Sequence, residues 1–141
     1  MILSFELDIE PISINKLYVN IPGQARRFIS NEGKTFKANV RTIIRDKIMS
    51  DNISKDISSL VGKPLNVFME VGLPTWFLKD GKTIRRKDLD NTAKATLDSV
   101  FDVLGEFDEA IDDCQIWKLT QEKFVSEYPI IKITIQERPA Q

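Results

Sequence analysis

Two apolar periodicities alternate along this chain, and together they limit its fold more than any single segment does. Leu3, Phe5, Leu7 and Ile9 alternate with Ser4, Glu6, Asp8 and Glu10, the period-two pattern of a strand with one buried face, stopped by Pro11. Phe36, Val40, Ile43, Ile44 and Ile48 instead recur at helical spacing, which predicts a helix from about Thr35 to Ser50 with one inward stripe. A weaker helical turn is expected at 53–61. Leu65, Val67, Met69, Val71 and Leu73 return to period two until Pro74. The clearest helix comes next, through Ala93, Leu97, Val100, Phe101 and Leu104, with Gly105 as its expected C-cap. An acidic loop at 106–113 leads to a strand near 115–124, and a turn around 126–128 leads to a last strand through Ile131, Ile133 and Ile135. Residues 11–33 read as a loop with a short hairpin. No repeat or linker interrupts the order. The expectation is an α+β fold, one domain over residues 1–141 with a mixed β-sheet covered by helices.

What the chain lacks narrows its chemistry. No apolar run approaches the roughly 20 residues that span a bilayer, and the first residues lack the basic start of a signal peptide. A cytoplasmic protein with no membrane partner is expected. Cys114 is the single cysteine; it fits a reducing compartment and reads as a small buried residue, not a nucleophile. Histidine is absent, which excludes Ser-His-Asp and Cys-His catalysis and histidine-ligated zinc. Any catalytic metal must rest on carboxylates, and hard oxygen ligands favour Mg²⁺, Mn²⁺ or Ca²⁺.

The net charge of −1 conceals a division. Residues 1–87 hold 15 Lys/Arg against 9 Asp/Glu, while residues 88–141 hold 5 against 12. A basic surface beside an acidic cluster suits a metal-dependent nuclease, in which cations grip phosphates and carboxylates hold the metal. It is equally the pattern of a soluble protein of mixed charge.

Chemistry concentrates in Arg85-Arg86-Lys87-Asp88-Leu89-Asp90-Asn91-Thr92-Ala93-Lys94. If 88–90 are extended, Asp88 and Asp90 project to one side, a platform for a divalent cation. A helix follows at once, so Asp90 or Asn91 can also cap it, and taken alone Asp90 is simply an N-cap. Lys94, at i+4 from Asp90, is expected to point back toward the acids. Asp112-Asp113, taken alone, is an acidic turn before a strand. Neither simple reading explains the basic run, the spaced acids and the returning lysine together.

These residues resemble the RusA-type crossover junction endodeoxyribonucleases. That family's signature is a basic residue, then D-L-D-N, a lysine three positions on, an amphipathic helix, and a later D-D-x-Q that opens a strand. Here it reads Lys87, Asp88-Leu89-Asp90-Asn91, Lys94, the helix to Leu104, and Asp112-Asp113-Cys114-Gln115. Pro11-Ile-Ser-Ile-Asn15 and the stretch from Arg27 to Lys34 are also similar, so the likeness runs over nearly the whole chain. It implies Asp88, Asp90 and Asp113 as metal-binding catalytic acids, Lys94 as an essential lysine and Lys87 as a supporting cation, with Asp112 a weaker candidate. It further implies Mg²⁺, for which Mn²⁺ can substitute, and a homodimer that nicks a four-way DNA junction symmetrically. Two departures stand out: Lys87 occupies a place where arginine is expected, and 105–111 is unusually acidic.

A carboxylate-held Mg²⁺ polarises a phosphate oxygen and activates water for in-line attack. Lys94 is better suited to neutralising the transition state than to acting as base. Arg85, Arg86, Arg27, Arg41 and Arg45 are candidate phosphate contacts, and Asn91 is a weaker site candidate. Trp76, Phe77 and Trp117 can stack on unpaired bases, although Trp117 is better read as core or dimer interface. Two other readings stay open: a Mg²⁺ nuclease for flaps or other branched DNA, and a non-catalytic DNA-binding module whose acids only cap a helix.

Overall fold

The computed structural model describes residues 2–84 and 89–140, with the backbone alone at Asn91. β1 (Ile2–Leu7) buries Leu3, Phe5 and Leu7 and turns Ser4 and Glu6 outward, as its alternation requires. β4 (Leu65–Leu73), β5 (Ile116–Val125) and β6 (Ile130–Glu137) complete a four-stranded sheet in the order β1-β6-β4-β5. β6 runs antiparallel to both β1 and β4, whereas β4 and β5 are parallel. The mixed sheet expected from the sequence is therefore present. A hairpin of β2 (Tyr18–Asn20) and β3 (Arg27–Ile29) stands apart from it.

Among the described residues there are two long helices, α2 (Asn31–Asp51) and α4 (Leu89–Phe107), and two short ones, α1 (Ile14–Leu17) and α3 (Ser54–Ser59). Phe36, Val40, Ile44 and Ile48 of α2 share one apolar core with Val100 and Leu104 of α4 and with Val67, Met69, Ile133 and Ile135 of the sheet. The other face of the sheet carries Asn66, Phe68, Glu70, Lys132 and Thr134, all partly exposed. Burial thus fixes which face of each strand meets the helices, and one-residue slippage would turn the apolar set outward.

Helix ends depart from the periodicity. α2 starts at Asn31, not near Thr35, because Ser30 caps it: the Gly33 N–H donates to Ser30 Oγ at 2.8 Å. It stops at Asn52, whose φ of 53° breaks the helix. α4 does not end at Gly105. It continues to Phe107, which packs against the core, so burial of one more aromatic outweighs the glycine. The start of α4 also differs. It begins at Leu89, so Asp90 and Asn91 lie within the first turn instead of before it, and the extended segment expected at 88–90 is not formed at 89–90. Cys114, expected to be buried, is exposed; the buried neighbour is Gln115. Trp117 is 68% exposed and is not core, while Trp76 is buried with its indole N–H donating to the Val71 carbonyl at 3.2 Å, which removes it from base stacking.

Gly72 of β4 needs its missing side chain. A Cβ there would lie 2.5 Å from Cζ of Phe124 on β5. The bare backbone lets Phe124 cross β4, where Lys132 Nζ of β6 sits 5.3 Å from its ring.

Candidate active site

α4 sets Asp90, Lys94 and Asp98 on successive turns of one face, at i, i+4 and i+8. Facing them are the 3₁₀ turn at Asp113–Gln115 and the start of β5. A groove of about 300 Å³ runs between, with Asp90, Lys94, Asp98, Asp113 and Gln121 as its polar lining and Ala93, Leu97, Ile116 and Leu119 as its apolar lining. Residues far apart in sequence, Asp90 and Lys94 on one side and Asp113 on the other, thus share one concave surface.

Each wall is held by its own hydrogen bonds. Gln121 Nε2 donates to Asp90 Oδ1 at 3.3 Å, which steadies that carboxylate from the strand side. Across the groove, D-D-x-Q forms a capping box. The Cys114 N–H donates to Asp112 Oδ1 at 2.8 Å, and the Asp112 N–H donates to Gln115 Oε1 at 2.9 Å. Gln115 Nε2 then donates to the carbonyls of Leu60 at 2.8 Å and Lys63 at 3.0 Å. The glutamine of the motif is therefore a tether. It anchors the turn that carries Asp113 to the segment after α3. Asp112 spends its carboxylate on the cap, which leaves Asp113 to line the groove.

The electrostatics follow from this division. Accepting the Cys114 N–H lowers the Asp112 carboxyl below the ordinary range. Asp113 goes the other way: partial burial, its hydrogen bond with Asp112, and the nearby charges of Asp112, Asp98 and Asp102 push it up. Asp98 is raised by burial, with Asp102 adding to the effect and Lys37 and Lys94 opposing it. Lys94 is exposed and forms no ion pair with Asp90 among the described residues, although both line the groove. Asp112 raises the Cys114 thiol, a poor setting for a nucleophile.

A groove whose carboxylates crowd one another in this way suits a cation. The donors are all oxygens, as a hard divalent ion requires. Among the described residues no three acidic side chains stand close enough to hold a metal by themselves. Asp90 and Asp113 are present in the groove; Asp88 lies outside the described residues, as do Arg85, Arg86 and Lys87. In donor chemistry, though not as a complete ligand set among the described residues, the groove fits a divalent cation.

The other basic candidates occupy different places. Arg27 is exposed on β3, its guanidinium 5.8 Å from the Tyr18 ring. Arg41 and Arg45 both reach Glu106 of α4, at 2.8 and 3.3 Å, and Lys37 meets Asp102 at 2.7 Å. Two groove residues had no place in the sequence reading. Asp98 had a usable signal, since it repeats the four-residue step from Asp90 through Lys94. Gln121 had none, because only the pairing of Met69 with Gln121 in the β4–β5 ladder turns it toward the helices.

No helix among the described residues is long and apolar enough to cross a membrane. No curated protein shows a significant match to the chain. A family model described as endodeoxyribonuclease RusA matches residues 8–136, nearly the full length and both walls of the groove. The chain belongs to the endodeoxyribonuclease RusA family.

Proposed function

We propose that the chain is a Mg²⁺-dependent endonuclease that resolves four-way DNA junctions by paired, symmetric nicking, and that it works as a homodimer. The observation that carries this reading is the meeting of Asp90, Lys94 and Asp113 in one groove, on a chain of the RusA family. Asp90, Asp113 and Asp88 are the proposed metal-holding carboxylates. A divalent cation bound there supplies Lewis acidity toward a phosphoryl oxygen and lowers the pKa of water. Mn²⁺ is expected to replace Mg²⁺.

The chain's own residues do the rest. Gln121 orients Asp90, and the Gln115 tether orients Asp113, so neither carboxylate must be ordered when substrate arrives. Lys94 brings a positive charge to the groove, where it can neutralise charge that develops on the scissile phosphate. Arg85, Arg86, Lys87 and Arg27 are the proposed grips on flanking phosphates. A junction with two-fold symmetry is matched by a protein with two-fold symmetry.

The test is incubation of the purified protein with a synthetic four-way junction, a flap and a linear duplex, each with Mg²⁺, Mn²⁺ or chelator. Paired cuts in strands of like polarity, only with metal and only on the junction, are expected. Metal-dependent cutting that favours the flap would overturn the junction assignment. Binding without cleavage under every metal condition would overturn the nuclease assignment.

A further inference from the structure

β5 is the end strand of the sheet, and among the described residues no strand pairs with its outer side. Bare edges invite pairing with another chain, and proteins usually blunt them by shortness, proline, bulges or charged side chains, lysine above all. β5 carries Lys118, Glu122 and Lys123, so whatever pairs with it must answer those charges. β5 is ten residues long, reads Ile-Trp-Lys-Leu-Thr-Gln-Glu-Lys-Phe-Val, and contains neither proline nor glycine. Its one irregularity falls near Trp117, between the Leu65–Ile116 and Asn66–Lys118 pairs, so the ladder from Lys118 onward is regular. Apolar side chains lie open along it: Trp117 is 68% exposed, Leu119 38% and Val125 61%.

We propose that a second copy of this chain docks on that edge, β5 against β5, antiparallel about a two-fold axis through Thr120. Register decides it. Residues that face each other across an antiparallel pair point to the same side of the sheet. A two-fold axis perpendicular to the sheet therefore requires facing residue numbers to add up to an even number. Pairing centred on Lys118, Glu122 or Lys123 sets like charges against each other. Centring on Leu119 or Gln121 leaves Lys118 and Glu122 without opposite charges. Centring on Thr120 sets Lys118 against the partner's Glu122 and, by symmetry, Glu122 against the partner's Lys118. Leu119 then faces the partner's Gln121, and Trp117 comes opposite the partner's Lys123. The bulge at Trp117 ends the regular pairing just beyond these contacts.

The arrangement deepens the proposed function and rests on it for its purpose: Leu119 and Gln121 line the groove of Asp90 and Asp113. Joining two β5 edges makes one eight-stranded sheet with two such grooves on the same face, one on each side of the axis.

The experiment uses Thr120→Cys in a Cys114→Ser background, with Ser4→Cys on the opposite sheet edge as control. Facing Cα atoms about 4.5–5.5 Å apart suit a disulfide. Mild oxidation is expected to convert Thr120→Cys largely to a covalent dimer, while Ser4→Cys stays monomeric on denaturing gels. Sedimentation should show dimers for the parent, at least tenfold weaker self-association for Lys118→Glu, and recovery in Lys118→Glu/Glu122→Lys. A monomeric parent at micromolar concentration would overturn the interface, as would equal crosslinking at Ser4 and Thr120 or a Lys118→Glu dimer of parental strength. A dimer that crosslinks at Thr120 but cuts no DNA leaves the interface standing and removes the nuclease reading. Metal-dependent junction cutting by a dimer that fails to crosslink does the reverse.

Discussion

Arg41 Nε donates to Glu106 Oε1 at 2.8 Å, and Arg45 Nη1 lies 3.3 Å from the other oxygen of the same carboxylate. One glutamate on α4 thus occupies two cations of α2 that the sequence offers as phosphate contacts. Exposed pairs of this kind are worth little to stability, but a phosphate must displace Glu106 to use either arginine. Glu106→Gln is expected to tighten junction binding and to steepen its salt dependence by about one unit, since one more phosphate contact becomes available. Arg41→Ala should flatten it. Titrations in Ca²⁺ at several salt concentrations measure both slopes, and identical slopes for parent, Glu106→Gln and Arg41→Ala would show that α2 does not touch DNA.

Asp90→Asn is expected to abolish cleavage, on the order of a hundredfold or more, with junction affinity unchanged or higher. The amide oxygen can still accept from Gln121 Nε2, so the groove keeps its shape and loses only charge. Single-turnover cleavage beside binding in Ca²⁺ separates the two effects. Near-normal turnover would remove Asp90 from the metal site.

Lys94→Ala should lower the rate of strand scission far more than affinity. Lys94 lines the groove with Asp90 and Asp113 yet pairs with neither among the described residues, which leaves its charge available to substrate. Cleavage with saturating enzyme is the measurement. Affinity falling in step with rate would make it an ordinary phosphate contact.

Gln115→Leu keeps approximate size and removes the tether. The Lys63 carbonyl and the Asp112 N–H lose their partners, and the Leu60 carbonyl keeps only the Lys63 N–H at 3.3 Å. Burying such groups unpaired costs about 1–3 kcal/mol each where water cannot reach them, so a loss of roughly 2 kcal/mol is expected from urea unfolding. An unchanged midpoint would mean that the box contributes nothing to stability.

Much of this architecture was legible because burial imposes it. The alternation at Leu3–Leu7, Val67–Val71 and Ile131–Ile135 and the stripe at Ala93–Leu104 are consequences of which faces meet the core, and each forms as its pattern implies. What escaped depends on single groups without a period. Ser30 moves a helix start by four residues through one hydrogen bond. Gly105 is carried through a helix because Phe107 beyond it is wanted in the core. Cys114 is exposed because the turn it sits in buries Gln115 instead. Motif and spacing pointed to Asp90, Lys94 and Asp113, and the fold brings those three to one groove. Gln121 becomes visible only when β5 is registered against β4.

The parallel pairing of β4 with β5 has a consequence for how the molecule is made. Everything between the two strands, residues 74–115, must be in place before their ladder can close. Because parallel strands need a long crossover, the contacts of this ladder carry the entropic cost of closing that whole segment. Asp90 sits inside that crossover, and Asp113 lies at its last turn, immediately ahead of β5. A chain whose β5 has not yet joined β4 therefore lacks the wall that brings Asp113 to Asp90. Maturation of the groove and closure of the β4–β5 ladder are one event, and a protein caught before that event holds strands without the groove.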